Sequence, residues 1–122
     1  MNARQVTHLL TNTTISAGST NTPSGTEVKS FLAREATISV KVHGTNSASS
    51  GNVVIELLAY NGEDWDTIAF ITLTVPFSGT DPSVKTFLIE VGEIDGLKVG
   101  NVTNEDATYD VVVDYIKLIK KD

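Results

Sequence analysis

The sequence predicts an all-β fold: a single-domain β-sandwich, jelly-roll-like, with an immunoglobulin-like sandwich as the alternative. Three observations carry this. Short runs rich in Val, Ile, Thr and aromatic residues recur between clusters of Gly, Pro, Asn, Asp and Ser, giving roughly seven to nine strands and no segment of helical period. The run 36–43, ATISVKVH, alternates cleanly, with Ile38, Val40 and Val42 on one face and Thr37, Ser39, Lys41 and His43 on the other. The chain of 122 residues is long enough to bury one core of ordinary size and too short for a second.

Taken in order, residues 1–14 are a short mixed run, MNARQVTHLL, closed by a polar cluster, and form either an N-terminal arm or an edge strand. Val6, Leu9 and Leu10 are their only sizeable anchors after Met1, which favours an arm that orders against a neighbouring subunit. The sandwich domain then occupies 15–122. Residues 14–17 suit a short strand, 18–25 (GSTNTPSG) a loop, 27–31 a brief strand and 32–35 a turn before the alternating strand. The run 44–51, GTNSASSG, is small and polar, and is expected to be an exposed, flexible loop.

The chain's clearest turn lies within 52–75, NVVIELLAYNGEDWDTIAFITLTV, read as a β-hairpin. Asn61 and Gly62 tolerate positive φ at its tip, beside acidic Glu63, Asp64 and Asp66 and the only tryptophan, Trp65. The first strand, 53–60, is apolar on both faces apart from Glu56, which suits a central strand or one covered by a neighbouring subunit. Along the second strand the apolar parity changes between Ile68 and Phe70 on one side and Ile71, Leu73 and Val75 on the other, so one extra residue, a bulge, is expected near Ala69 or Phe70. A loop at 76–83, a strand at 84–91 with Phe87, Ile89 and Val91 inward, a short run at 97–102 and a last strand at 109–119 complete the chain. Tyr109, Val111, Val113 and Tyr115 share a face of that last strand before Ile116 and Leu118 break parity.

Composition removes several functions. Without cysteine there are no disulfides, thiolate metal ligands or cysteine nucleophiles. A net charge of −6 with no basic stripe opposes nucleic-acid binding, and no apolar run reaches the ~20 residues of a membrane span. The first residues show neither a basic n-region nor a long apolar h-region, so the expected setting is the cytoplasm of the producing cell.

Candidate chemistry is sparse. His8 and His43 lie in different segments and are read as structural, so no transition-metal site is expected. The acidic tip lacks the spacing and distal Glu of an EF-hand, and the pair Glu105 and Asp106 reads as a solvated turn. Nothing singles out a glycosidase pair among fifteen acidic residues, and no G-x-S-x-G elbow, P-loop or dinucleotide fingerprint occurs. The sequence therefore names no catalytic, cofactor or metal residue. Trp65 suits either a lid over the sandwich rim or a stacking platform for a sugar ring.

The leader Ile15-Ser16-Ala17-Gly18-Ser19, the alternating strand, the Gly/Ser/Asn loop and VVIELLAYNGEDWDT resemble small virion accessory proteins of tailed bacteriophages, of the head-decoration type. Asn61, Gly62, Trp65 and Asp66 match that group's turn motif, over a likeness spanning about 15–74, whereas Glu63 and Asp64 stand where such turns carry small polar residues. The resemblance implies a non-enzymatic structural virion protein that decorates or reinforces a capsid. Its partners would be the major capsid protein or other virion subunits, in a homo-oligomer, with no nucleic acid or membrane. Val6, Leu9, Leu10, Asp64 and Trp65 are the candidate contacts. The competing class is a carbohydrate-binding or adhesin-like module using Trp65 and the acidic turn.

Overall fold

The computed structural model describes residues 4–30, 34–92 and 94–121. Eight strands, β1 (Arg4–Ile15), β2 (Thr20–Asn21), β3 (Glu35–Gly44), β4 (Ser50–Tyr60), β5 (Ile71–Ser78), β6 (Ser83–Glu90), β7 (Gly96–Asn104) and β8 (Val111–Lys121), form two antiparallel sheets. Sheet order is β1-β8-β3-β6 in one and β2-β7-β4-β5 in the other. This alternation of strands between sheets is the jelly-roll arrangement. Inward residues of both sheets, among them Ile38, Val40, Val42, Val53, Ile55, Leu57, Leu73, Val75, Val102, Ile116 and Leu118, make one continuous core. The faces predicted for 36–43 are those observed.

Several expectations need correction. The first concerns residues 4–15, which form edge strand β1 paired along β8 and not an arm. Leu9 takes an extra position between His8 and Leu10, and the bulge turns both leucines inward to full or near-full burial. They are therefore core residues and unavailable to a partner. The sequence hid this because two consecutive leucines fit no strand period unless a bulge separates them.

Second, the hairpin excursion is larger than one residue. Leu57 faces Ile71 and Tyr60 faces Trp65, so Leu58 and Ala59 stand opposite all of residues 66–70. Ile68 projects into solvent from it, 80% exposed. Third, β5 continues through Pro76 to Ser78, with Phe77 buried, where a loop was expected; Pro76 is tolerated because β5 is an edge. Fourth, β8 begins at Val111 and carries a bulge at Asp114: Lys41 faces Tyr115, yet Val42 faces Val113. Tyr115 is thereby turned outward while Ile116 and Leu118 enter the core. Over 27–30 the brief strand expected at 27–31 reduces to a single bridge from Val28 to Leu97; residues 31–33 lie outside the described residues, and Glu35, expected in a turn, opens β3.

One end of the sandwich is tied by a buried polar knot. Asn104, fully buried, donates from Nδ2 to the carbonyls of Tyr109 at 2.9 Å, Ile15 at 3.2 Å and Ser16 at 3.4 Å, and its Oδ1 accepts the Asp106 N–H at 2.9 Å. Asp106 in turn accepts the N–H groups of Thr108, Tyr109 and Ser50 at 2.9, 3.1 and 3.0 Å. The Thr108 N–H does most to hold its carboxyl below the ordinary range; burial opposes this, and the Ser50 and Tyr109 N–H groups add to it. The pair Glu105 and Asp106 is thus not a solvated turn: Glu105 is exposed, while Asp106 joins the start of β4 to the β7–β8 loop.

Candidate functional site

The outer face of the β2-β7-β4-β5 sheet collects a set of polar and aromatic side chains. Alternation along β4 sends Val54, Glu56, Leu58 and Tyr60 to this face, and along β7 it sends Lys98, Asn101 and Thr103. Cross-strand register sets them in rows, with Leu58 beside Lys98, Glu56 beside Asn101 and Val54 beside Thr103. Hydrogen bonds run along the rows: Thr22 Oγ1 donates to Asn101 Oδ1 at 2.7 Å, Asn101 Nδ2 donates to Glu56 Oε1 at 3.2 Å, and the Thr20 and Thr103 hydroxyls lie 2.8 Å apart.

The segment after β2 crosses beside this face. It is pinned at one end by β2 and at the other by Val28, which exchanges two backbone hydrogen bonds with Leu97, at 3.0 and 2.7 Å. Between those anchors, residues 22–27 stand off β7 and leave a depression of about 290 Å³, lined by Thr22, Ser24, Glu27, Leu58, Lys98 and Gly100 together with Pro23, Gly25 and Val99. Gly100 is the extra residue of a bulge in β7, since Glu56 faces Asn101 and Leu57 faces Val99. A Cβ there would sit 2.8 Å from Leu58 Cγ, so the floor is open only because position 100 has no side chain.

An aromatic and charged rim borders the depression. Lys98 Nζ is 3.2 Å from Glu27 Oε2 and 4.5 Å from the Trp65 ring centroid, a paired cation resting on an indole. Trp65 packs on Tyr60 with centroids 5.0 Å apart, and Lys29 Nζ lies 5.3 Å from the Tyr60 ring. Trp65 is therefore half-buried on the outer face and does not lid the core. The acidic tip is a turn closed by its own asparagine: Asn61 Oδ1 accepts the N–H of Glu63 at 2.9 Å and of Asp64 at 2.7 Å, while Asp64 stays exposed.

The structure brings Trp65 and Asp64 into one loop and leaves Val6 on the opposite sheet, 53% exposed. His8 stands edge-on to Tyr115, and His43 Nδ1 is 2.8 Å from Asp114 Oδ2, both on that opposite sheet. Sequence reasoning missed Glu27, Leu58, Lys98 and Gly100. Only the register of β4 against β7 makes them neighbours, and the single available signal was Gly100 inside an otherwise strand-like run.

Chemically, the depression offers an apolar floor (Leu58, Val99), hydroxyls (Thr22, Ser24) and one ion pair beside an indole. That set suits a polar ligand carrying a flat apolar face. Among the described residues its lining holds one carboxylate, Glu27, which is paired with Lys98.

No family model and no curated protein matches the chain. Solved structures do. A family 16 carbohydrate binding module aligns over 88% of this chain and 74% of its own at a TM-score of 0.54 and 13% identity. The CBM36-1 domain of a multidomain xylanase from the hindgut metagenome of Trinervitermes trinervoides aligns over 95% of this chain and 96% of its own at a TM-score of 0.51 and 13% identity. A chain in the structure of the infectious bursal disease virus Gt strain aligns over 97% of this chain and 32% of its own, with a TM-score of 0.57 and 12% identity. At such identities the likeness establishes the β-sandwich fold that these proteins share.

Proposed function

We propose that this chain is a non-enzymatic virion protein that decorates or reinforces an assembled capsid, made in the host cytoplasm and retained on the particle. One observation supports it most: the outer face of the β1-β8-β3-β6 sheet is open and carries exposed aliphatic side chains among polar ones. Register sets Val6, Ile119, Thr37 and Leu88 in one row, and Thr11, Tyr115, Lys41 and Val84 in another. Val6, Val84 and Leu88 are 53, 57 and 68% exposed on it. A face of this kind suits a subunit that packs against others. Fold likeness to a chain of a virus structure agrees with the reading.

The test is the protein composition of gradient-purified particles from the phage or lysogen that carries the gene. The chain should be present at a fixed ratio to the major capsid protein, and a Val6→Lys, Leu88→Lys double variant should fold normally yet be lost from particles. Particles lacking the wild-type chain would refute the proposal.

The Trp65 and Lys98 rim favours a second reading, a carbohydrate-binding or adhesin-like module. Under it, a glycan array should show binding that Trp65→Ala removes, with the fold unchanged. The two readings use opposite sheets, so variants on each separate them.

A further inference from the structure

We infer that β6 is a self-complementary edge through which two copies of this chain join their β1-β8-β3-β6 sheets into one continuous antiparallel sheet. The inference rests on the edge strands and stands independently of the capsid or glycan readings.

An open edge presents unpaired N–H and C=O groups, and folded proteins generally block such edges. Three of the four described edges here are blocked. β1 is broken by the Leu9 bulge and by Asn12 at a φ of 44°. β2 is two residues long, and β5 carries Pro76, which has no N–H to donate. β6 has none of these features. It runs unbulged for eight residues against β3, contains no proline, and exposes Val84 and Leu88 on the same face. Its one cation, Lys85, is turned away toward the other sheet, with Nζ 3.3 Å from the Thr74 carbonyl and 5.1 Å from the Phe87 ring.

The register of a β6 pair follows from face and charge. Directly opposed residues in an antiparallel pair point to the same side, so a two-fold axis that keeps inner face with inner face lies midway between one residue and its own copy. Placed at Lys85 it sets ammonium against ammonium, and at Phe87 it sets Val84 against Glu90. At Thr86 it sets Val84 against the other copy's Leu88 at two equivalent places, Lys85 against Phe87, and Glu90 against Pro82. No like charges are then directly opposed, although each copy carries a net charge of −6. A second copy is thus the occupant that this strand's own pattern fits, and the interface is isologous.

Because the chain has no cysteine, one introduced thiol reads the register directly. Opposed residues of an antiparallel pair have Cα atoms roughly 4.5–5.5 Å apart, within disulfide range. Thr86→Cys should therefore cross-link to a dimer under mild oxidation at least ten times faster than Ile68→Cys, an exposed position away from the edge. Light scattering on the wild-type chain at about 100 μM, where a micromolar Kd leaves most chains paired, should give twice the monomer mass. Leu88→Lys should return it to monomer while unfolding at the midpoint the wild-type chain shows when diluted well below its Kd, since Leu88 is outside the core of the single chain. A wild-type monomer at that concentration, cross-linking of Thr86→Cys no faster than the control, or a Leu88→Lys variant that stays dimeric would each overturn the inference. Pairing of β6 with a different virion protein would appear as the first of these.

Discussion

Replacing Asn104 should be among the most damaging single changes in this chain, even though it removes no apolar contact. The amide supplies two N–H donors to three carbonyls and accepts the Asp106 N–H, all with Asn104 fully buried. Alanine at 104 strands two donated bonds and one accepted bond away from water. At about 1 to 1.5 kcal/mol for each bond lost, the sum is roughly 3 to 4.5 kcal/mol, against a total stability of about 5–15 kcal/mol for a domain. Asn104→Asp keeps the shape but turns a donor into an acceptor facing carbonyl oxygens, and should cost at least as much. Urea unfolding followed by Trp65 fluorescence is the assay. With a slope on the order of 1–2 kcal/mol per molar, the midpoint should fall by about 2 M. A loss under about 1 kcal/mol for both variants would mean that water replaces the side chain at no cost, and the knot would not be what holds this end of the sandwich.

Other outcomes follow from the same structure. Val40→Ala, in the fully buried centre of β3, should cost about 1 to 3 kcal/mol in the same titration. Because Asp106 is held below the usual carboxylate range when folded, the stability it contributes is fully present above the unfolded value near 3.9 and is lost as pH falls through the lower folded value. Thermal unfolding should therefore show a decline below about pH 4 that Asp106→Asn flattens, and an unchanged profile in that variant would count against the assignment. Asn12→Val, which forces a β-branched side chain into a φ of 44°, should destabilise by about 1 kcal/mol or more, whereas Asn12→Gly should be close to neutral.

Alternation made most of the sandwich readable. Ile38, Val40 and Val42 on β3, and Ile89 on β6, lie where the period-2 pattern places them, because a strand with one buried face must repeat at that period. The parity changes after Ala69 and at Ile116 were visible, but the bulged residues that break the period elsewhere escaped the reading. Leu9, Gly100 and Asp114 each add one residue to a strand, and each reverses the facing of everything beyond it. Tyr115 was put on one face with Val113 for that reason, and the stretch holding Leu9 and Leu10 was read as an arm in preference to an edge strand. The candidate site was half legible. Trp65 and the Asn61-Gly62 turn are local in sequence, but Glu27, Leu58 and Lys98 meet only through a bridge at Val28 and a register that no short window contains. Asp106 was misread because a carboxylate that caps backbone N–H groups looks, in sequence, like one that faces water.

The partnership of β1 with β8 also sets a schedule for folding on the ribosome. Arg4 lies opposite Lys121 and Ile15 opposite Val111, so the first strand of the sandwich is completed only by its eighth. At about 5–20 residues per second, β1 waits roughly 5 to 20 s for its neighbour. Throughout that interval Leu9 and Leu10 have no β8 to lie against, and the loop that must close is nearly the whole chain, the kind of long-range pairing that slows β-proteins. The nascent sandwich is consequently most prone to misassociate while β8 has yet to emerge, and slowing translation over β8 would prolong that window.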